Sequence, residues 1–171
     1  ATRLDLMRTA GADKARLLGV FRSRGPSSHA PPEPSLPLGL GDALVALGDH
    51  VAYLWESDQE FEATADFLAA GLARDEIAVL VGHEVANNRV LASLERRGLD
   101  PEGLGREDRL HVVPGPLSGN AILRHLDDRI KAAVDRGVPA IRILGNVGWG
   151  QPGWPSDSDL LAMETRVTDS L

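Results

Sequence analysis

Four short stretches hold most of the residues able to bind or react, and each directly follows an apolar run. The first is Trp55, Glu56, Ser57 and Asp58, and the second is Gly82, His83 and Glu84. The third is Pro114 and Gly115, and the fourth is Gly145, Asn146, Gly148, Trp149 and Gly150. Aromatic rings, carboxylates, an imidazole and an amide together can enclose a small, partly polar ligand. His83 beside Glu84 is a pair with acid–base potential. The glycines also fit a plainer role, because strands must end in turns. Trp55 and Trp149 fit that role less well, since the chain has only three tryptophans, Trp154 being the other.

Other chemistry is excluded by the same residues. Residues 56–60 (ESDQE) lie where a phosphate-binding loop would follow a strand and open a helix. Such a loop needs glycines, a lysine and a Ser or Thr. Here Glu56, Asp58 and Glu60 would repel a triphosphate, and glycine and lysine are missing. The five histidines His29, His50, His83, His111 and His125 form no HxxxH or HxH pair, so no local zinc site is expected. His50 opens a strand and is expected at the end opposite the ligand rim. His111 is expected to pack within a strand and His125 to be solvated. Without cysteine there is no disulfide, thiol nucleophile or thiolate metal site, which fits a reducing, cytoplasmic setting. Nucleophile-elbow, zincin and dinucleotide motifs are absent, and no cofactor or metal is expected.

The elements that must position these residues follow from periodicity. Residues 50–55 (HVAYLW) read as a strand. Residues 57–73 read as a helix, with Phe61, Thr64, Ala65, Leu68 and Leu72 on one face and Ser57 with Glu60 as its capping box. Residues 77–81 (IAVLV) are uninterrupted apolar, as a strand buried on both faces should be. A helix over 85–97 turns Val90, Leu91 and Leu94 inward and stops at Gly98. Residues 110–113 form a third strand. A helix over 120–136 carries Ile122, Leu126, Ile130, Ala133 and Val134. Residues 141–144 form a fourth strand. Ser156 then caps a last helix lined by Leu160, Leu161 and Val167. This alternation predicts an α/β fold with a mainly parallel sheet and helices on both faces. Ligands of such sheets collect outside the carboxyl ends of the strands.

The chain of 171 residues suits one domain, and 43% hydrophobic with 25% charged residues is ordinary globular usage. Three zones are expected. Residues 1–24 form a basic arm with six basic residues against Asp5 and Asp13, and scattered apolar residues that suit one or two short helices. Residues 25–38 form a linker, with five prolines between 25 and 37. Residues 39–171 form the body. The arm and linker are expected to be dispensable for stability. The net charge of −7 makes the body a poor binder of nucleic acid or anionic membrane, and no apolar run is long enough to span a bilayer.

Two strings carry a family resemblance. Residues 50–82 (HVAYLWESDQEFEATADFLAAGLARDEIAVLVG) resemble the opening of the MEDS domain, the sensory domain of methanogens, methylotrophs and the DcmR regulator. Residues 141–167 (IRILGNVGWGQPGWPSDSDLLAMETRV) are similar to that family's strand, Gly-(acid or amide)-x-x-Trp turn and Leu-Leu-x-x-Glu helix. The resemblance covers about residues 48–169. It implies a three-layer α/β domain similar to RecA or circadian-clock ATPase cores, without the phosphate loop. The positions it matches are His50, Trp55 in place of Tyr, Glu56, Ser57, Asn146, Trp149 and Glu164. Family members usually continue past the last helix into further strands, often with a Cys-x-Tyr stretch. Those strands and that cysteine do not occur within these residues, so a sheet with an exposed parallel edge is expected.

The resemblance also implies a role: a non-enzymatic sensory or regulatory domain that binds a small organic, hydrocarbon-like ligand. Relatives occur alone or joined to DNA-binding, histidine-kinase or anti-sigma-type modules, which points to signal transduction and transcription regulation. His83 joins the expected ligand contacts from its place on the rim. A protein-interaction module docking on a signalling partner is the alternative, and an acid–base enzyme using His83 and Glu84 is a third.

Overall fold

The segment IAVLVG is apolar along its length and buried along its length, and the sheet is organised around it. The computed structural model describes residues 15–21, 35–115, 117–146 and 156–169. Among these the strands are β1 (Ala15–Phe21), β2 (Leu36–Pro37), β3 (Leu44–Val45), β4 (His50–Leu54), β5 (Ile77–Gly82), β6 (Leu110–Pro114) and β7 (Ile141–Asn146). The helices are α1 (Asp58–Leu72), α2 (Glu84–Arg96), α3 (Pro101–Arg106), α4 (Gly119–Asp135) and α5 (Asp157–Asp169). The main sheet runs in the order β4-β1-β7-β5-β6. β7, β5 and β6 are parallel, whereas β1 is antiparallel to both neighbours. β2 and β3 form a separate small antiparallel pair.

Alternation along β5 divides the core between the two faces, because successive strand side chains point oppositely. Ala78 and Leu80 join Phe61 and Leu68 of α1 and Val90 and Leu94 of α2. Ile77, Val79 and Val81 join Ile122 and Leu126 of α4 and Leu160 and Met163 of α5. Each large apolar side chain shut away in this manner contributes about 2 kcal/mol. Val134 and Leu161, expected to face inward, are instead 44% and 48% exposed. Each sits at the margin of its helix's apolar stripe, next to Ala133 and Leu160, which take the core position. α3 was not visible in the sequence pattern. Its six residues include Gly103 and Gly105, and its one clear signal is Pro101 at the first helical position.

The basic arm departs from expectation. Residues 15–21 form a strand, not a helix, and β1 lies between β4 and β7. Leu18 pairs with Val51 on one side and with Leu144 on the other. Two causes favour strand here. Gly19 weakens a helix interior, and the gap between β4 and β7 supplies backbone partners on both sides. β1 thus covers the free side of β7, while β6, parallel to β5, is an edge strand among the described residues, with β4 at the other edge.

Arg142 is the polar exception in β7 and is fully buried on the α1 face. Its Nε donates to Glu76 Oε2 over 2.6 Å. Nη1 donates to the carbonyls of Leu38 and Phe67 at 3.2 and 3.1 Å, and Nη2 to that of Pro37 at 2.8 Å. Gly71 in α1 makes room for it, since a Cβ there would lie 2.5 Å from Arg142 Cδ and Nε. The guanidinium thus ties residues 37–38, at the end of the Pro-rich segment, to the sheet. Leu36 and Leu38 on either side are buried in the core.

Candidate functional site

Two helices begin at the carboxyl ends of strands, and their caps are built differently. At α1, Ser57 Oγ accepts from the Glu60 amide at 3.2 Å. Glu60 Oε2 reaches back to accept from the amides of Ser57 and Glu56 at 3.0 and 2.7 Å. These bonds hold the Glu60 carboxyl below its usual range. The turn that replaces a phosphate loop is thus filled by the helix's own acids. Glu56 and Ser57 are exposed there, and Ser57's hydroxyl serves the cap.

At α2 the cap is His83, whose Nδ1 accepts from the Val85 amide at 3.3 Å. Using Nδ1 in this way leaves the ring's chemistry to Nε2. Glu84 beside it is exposed in the first helical turn. One turn into α2, Asn87 is only 2% exposed. Its Nδ2 donates to the Gly82 carbonyl at 3.0 Å.

Gly82 and Asn146 are register partners at the ends of β5 and β7, and the His83 amide donates to the Asn146 carbonyl at 3.3 Å. From here β5 leads to α2 on one face and β7 leads toward α5 on the other. Adjacent parallel strands whose connections diverge leave a crevice at their carboxyl ends, where α/β sheets bind ligands. The lack of a side chain at Gly82 lets Asn146 and Asn87 pack directly over the end of β5. A Cβ there would stand 2.5 Å from Asn146 Cβ and 2.9 Å from Asn87 Oδ1. Gly82, His83, Asn87 and Asn146 therefore converge.

A second group flanks α1 and α2 on the same face. Arg89 of α2 donates to Asp58 at 2.7 Å and lies 4.2 Å from the Phe61 ring centroid. Trp55 meets Phe61 edge to face at 5.4 Å. This chain ties the starts of the two helices together. Trp55 belongs to the end of β4, which is separated from β7 by β1. Two strand spacings amount to about 10 Å.

His50 and Glu164 lie elsewhere. His50 is level with Gly19 of β1 and hence with Ile143 of β7, in the middle of the sheet and not at its far end as expected. Strand alternation sends its side chain to the α5 face, where Nε2 stands 3.5 Å from Glu164 Oε2. Burial raises the Glu164 carboxyl from 4.5 to about 7. Asn146 and Trp55 face α1 and α2, so the expected site residues divide between opposite faces of the sheet. Trp149, Gly148, Gly150, Trp154 and His29 lie outside the described residues.

His111 is mostly buried in β6 beside Asp108 and Arg129. Burial, the first cause, and the Arg129 and Arg136 charges lower its pKa, against Asp108. It belongs to a surface ion cluster away from the crevice. His125 is exposed as expected. Asn87 and Arg89 were missed in the sequence. Asn87 was detectable, because it occupies the core-facing position that leads to Val90 and Leu94 at helical spacing.

The chain is thus an α/β domain with a parallel three-strand core, whose turn before α1 carries acids where a phosphate loop would stand. The comparisons with known proteins are specific on the family. The sequence profile described as MEDS: MEthanogen/methylotroph, DcmR Sensory domain matches residues 49–171, and the chain belongs to this family of sensory domains. No curated protein and no solved structure matches the chain.

Proposed function

We propose that this domain senses a small organic molecule bound in the crevice between the carboxyl ends of β5 and β7, and does so without chemical turnover. The helices packed on both sides of the sheet are read as the three-layer arrangement of a ligand-binding α/β domain. The observation that carries the reading is the convergence of Gly82, His83, Asn87 and Asn146 at the diverging ends of two parallel strands. Membership of a sensory family agrees with it. The acidic turn before α1 argues against a nucleoside triphosphate.

The test is a thermal-shift screen of small alcohols, amides, aldehydes, acids and halocarbons, with each compound quantified afterwards. Saturable stabilisation with the compound recovered unchanged is expected. At a hundredfold excess over Kd the gain is about 2.7 kcal/mol. Consumption of the compound, abolished by His83→Ala, would favour an enzyme instead. Absence of any shift would leave the domain as a protein-interaction module.

A further inference from the structure

The outer edge of β6 is open, and two partly used arginines stand beside it. The Ala78 amide donates to the Arg109 carbonyl at 2.9 Å, and Ala78 is level with Leu110. Residues of a parallel ladder turn alternately to one neighbour and the other, so His111 and Val113 are turned to β5. Leu110, Val112 and Pro114 then aim their backbone groups away from the sheet. α3 covers the Leu110 end, since a Cβ on Gly105 would lie 3.8 Å from the Leu110 carbonyl oxygen. Val112 is 41% exposed, and β6 has no outer neighbour among the described residues. An outward N–H and C=O at an exposed apolar residue are what an added strand pairs with.

Alternation sends His111 to the α4 face, where two arginines share one carboxylate. Arg129 Nη1 lies 3.4 Å from His111 Nδ1 and 3.7 Å from Asp108 Oδ1. Arg136 Nη1 donates to Asp108 Oδ2 at 2.5 Å and to the Asp108 carbonyl at 3.0 Å. A guanidinium only donates, so His111 Nδ1 accepts and the ring is neutral. Two positive charges thus meet one negative charge. Nε and Nη2 of both arginines donate to nothing among the described residues, and both side chains are partly exposed.

We propose that an acidic, extended segment of a partner protein docks along β6, with an apolar residue opposite Val112 and an acidic residue on each side of it. Opposed residues in a sheet point to the same face, so the apolar side chain lies against Val112 on the α2 side. The flanking acids fall on the α4 side, where Nε and Nη2 of Arg129 and Arg136 donate to them. A second copy of this chain is the poorer occupant, because twofold pairing of β6 with itself sets these arginines against their own copies. The surface does not depend on a ligand in the crevice.

The experiment is an NMR titration of the whole chain with the capped peptide Thr-Glu-Val-Glu-Thr, beside Thr-Lys-Val-Lys-Thr as control. We expect saturable shifts along β6, slower exchange of the Val112 amide hydrogen and no response to the lysine peptide. Arg129→Gln with Arg136→Gln should weaken binding by roughly tenfold or more. Val112→Pro should abolish it while the β5–β6 ladder persists, because that N–H faces away from β5. The comparison of the two peptides needs no variant and stands if either variant fails to fold. Equal binding of the two peptides overturns the proposal, as does absence of saturable shifts or unchanged binding in Val112→Pro. A concentration-dependent dimer that protects the Val112 amide without peptide also overturns it, in favour of a second copy.

Discussion

Arg142 and Glu76 meet at 2.6 Å with their side chains 0% and 2% exposed, so two opposite charges neutralise each other inside the fold. Arg74 adds a second contact to the same carboxylate at 3.3 Å. Removing one member of a buried pair leaves the other uncompensated. Glu76→Gln and Arg142→Met should each destabilise the domain by about 3–5 kcal/mol in urea denaturation. The double variant should lose less than the sum of the two, because the second change removes a charge already stranded. Additive losses would show that the pair is not coupled.

Deleting residues 1–21 should lower the melting temperature by more than about 5 °C, since several kcal/mol at roughly 2–4 °C each are involved for a chain of this size. The loss follows from opening the backbone of β4 and β7 on the sides now paired with β1. Differential scanning calorimetry of the shortened chain checks this. An unchanged melting temperature would restore the dispensable-arm expectation.

Glu164 predicts a pH dependence. Burial raises its carboxyl from 4.5 to about 7 in the folded chain. Between these values the folded state binds more protons than the unfolded state, so stability falls as pH rises. The stabilisation is fully present below about 4.5 and lost as pH passes about 7. It amounts to about 3 kcal/mol. His50 Nε2 stands 3.5 Å from this carboxylate. Glu164→Gln should flatten the slope over this window in chemical denaturation and raise stability at pH 8. A slope unchanged by that substitution would show that other groups set it.

Gly82→Ala should affect both stability and binding. The added methyl meets Asn146 Cβ at 2.5 Å and Asn87 Oδ1 at 2.9 Å, and such crowding costs about 1–3 kcal/mol. The variant should also lose the thermal response to crevice ligands. A variant that keeps this response would place the ligand away from Gly82.

Much of this fold was legible because the signals were local. The IAVLV run, the Ser57–Glu60 capping box and the Gly98 stop each act within a few residues. The α/β alternation followed from them. β1 was not legible, because ARLLGVF becomes a strand only through partners more than thirty residues away in β4 and more than a hundred away in β7. The rim was legible as a set of strand ends. Its division was not, since strand order decides that β1 separates Trp55 from Asn146. Register and alternation decide that His50 meets Glu164 on the other face. Asn87 carried a signal, a polar residue at a core position. Its meaning depended on Gly82, five residues back and on another element.

The central claim is that ligand enters at the ends of β5 and β7, on the face of α1 and α2. A backbone NMR titration of the whole chain with 1-butanol tests it most directly, because it reports on both faces of the sheet at once. The account predicts saturable shifts centred on Gly82, His83, Asn87 and Asn146, with His50 and Glu164 little changed. Shifts centred on His50 and Glu164, with Gly82 and Asn87 unmoved, would contradict it.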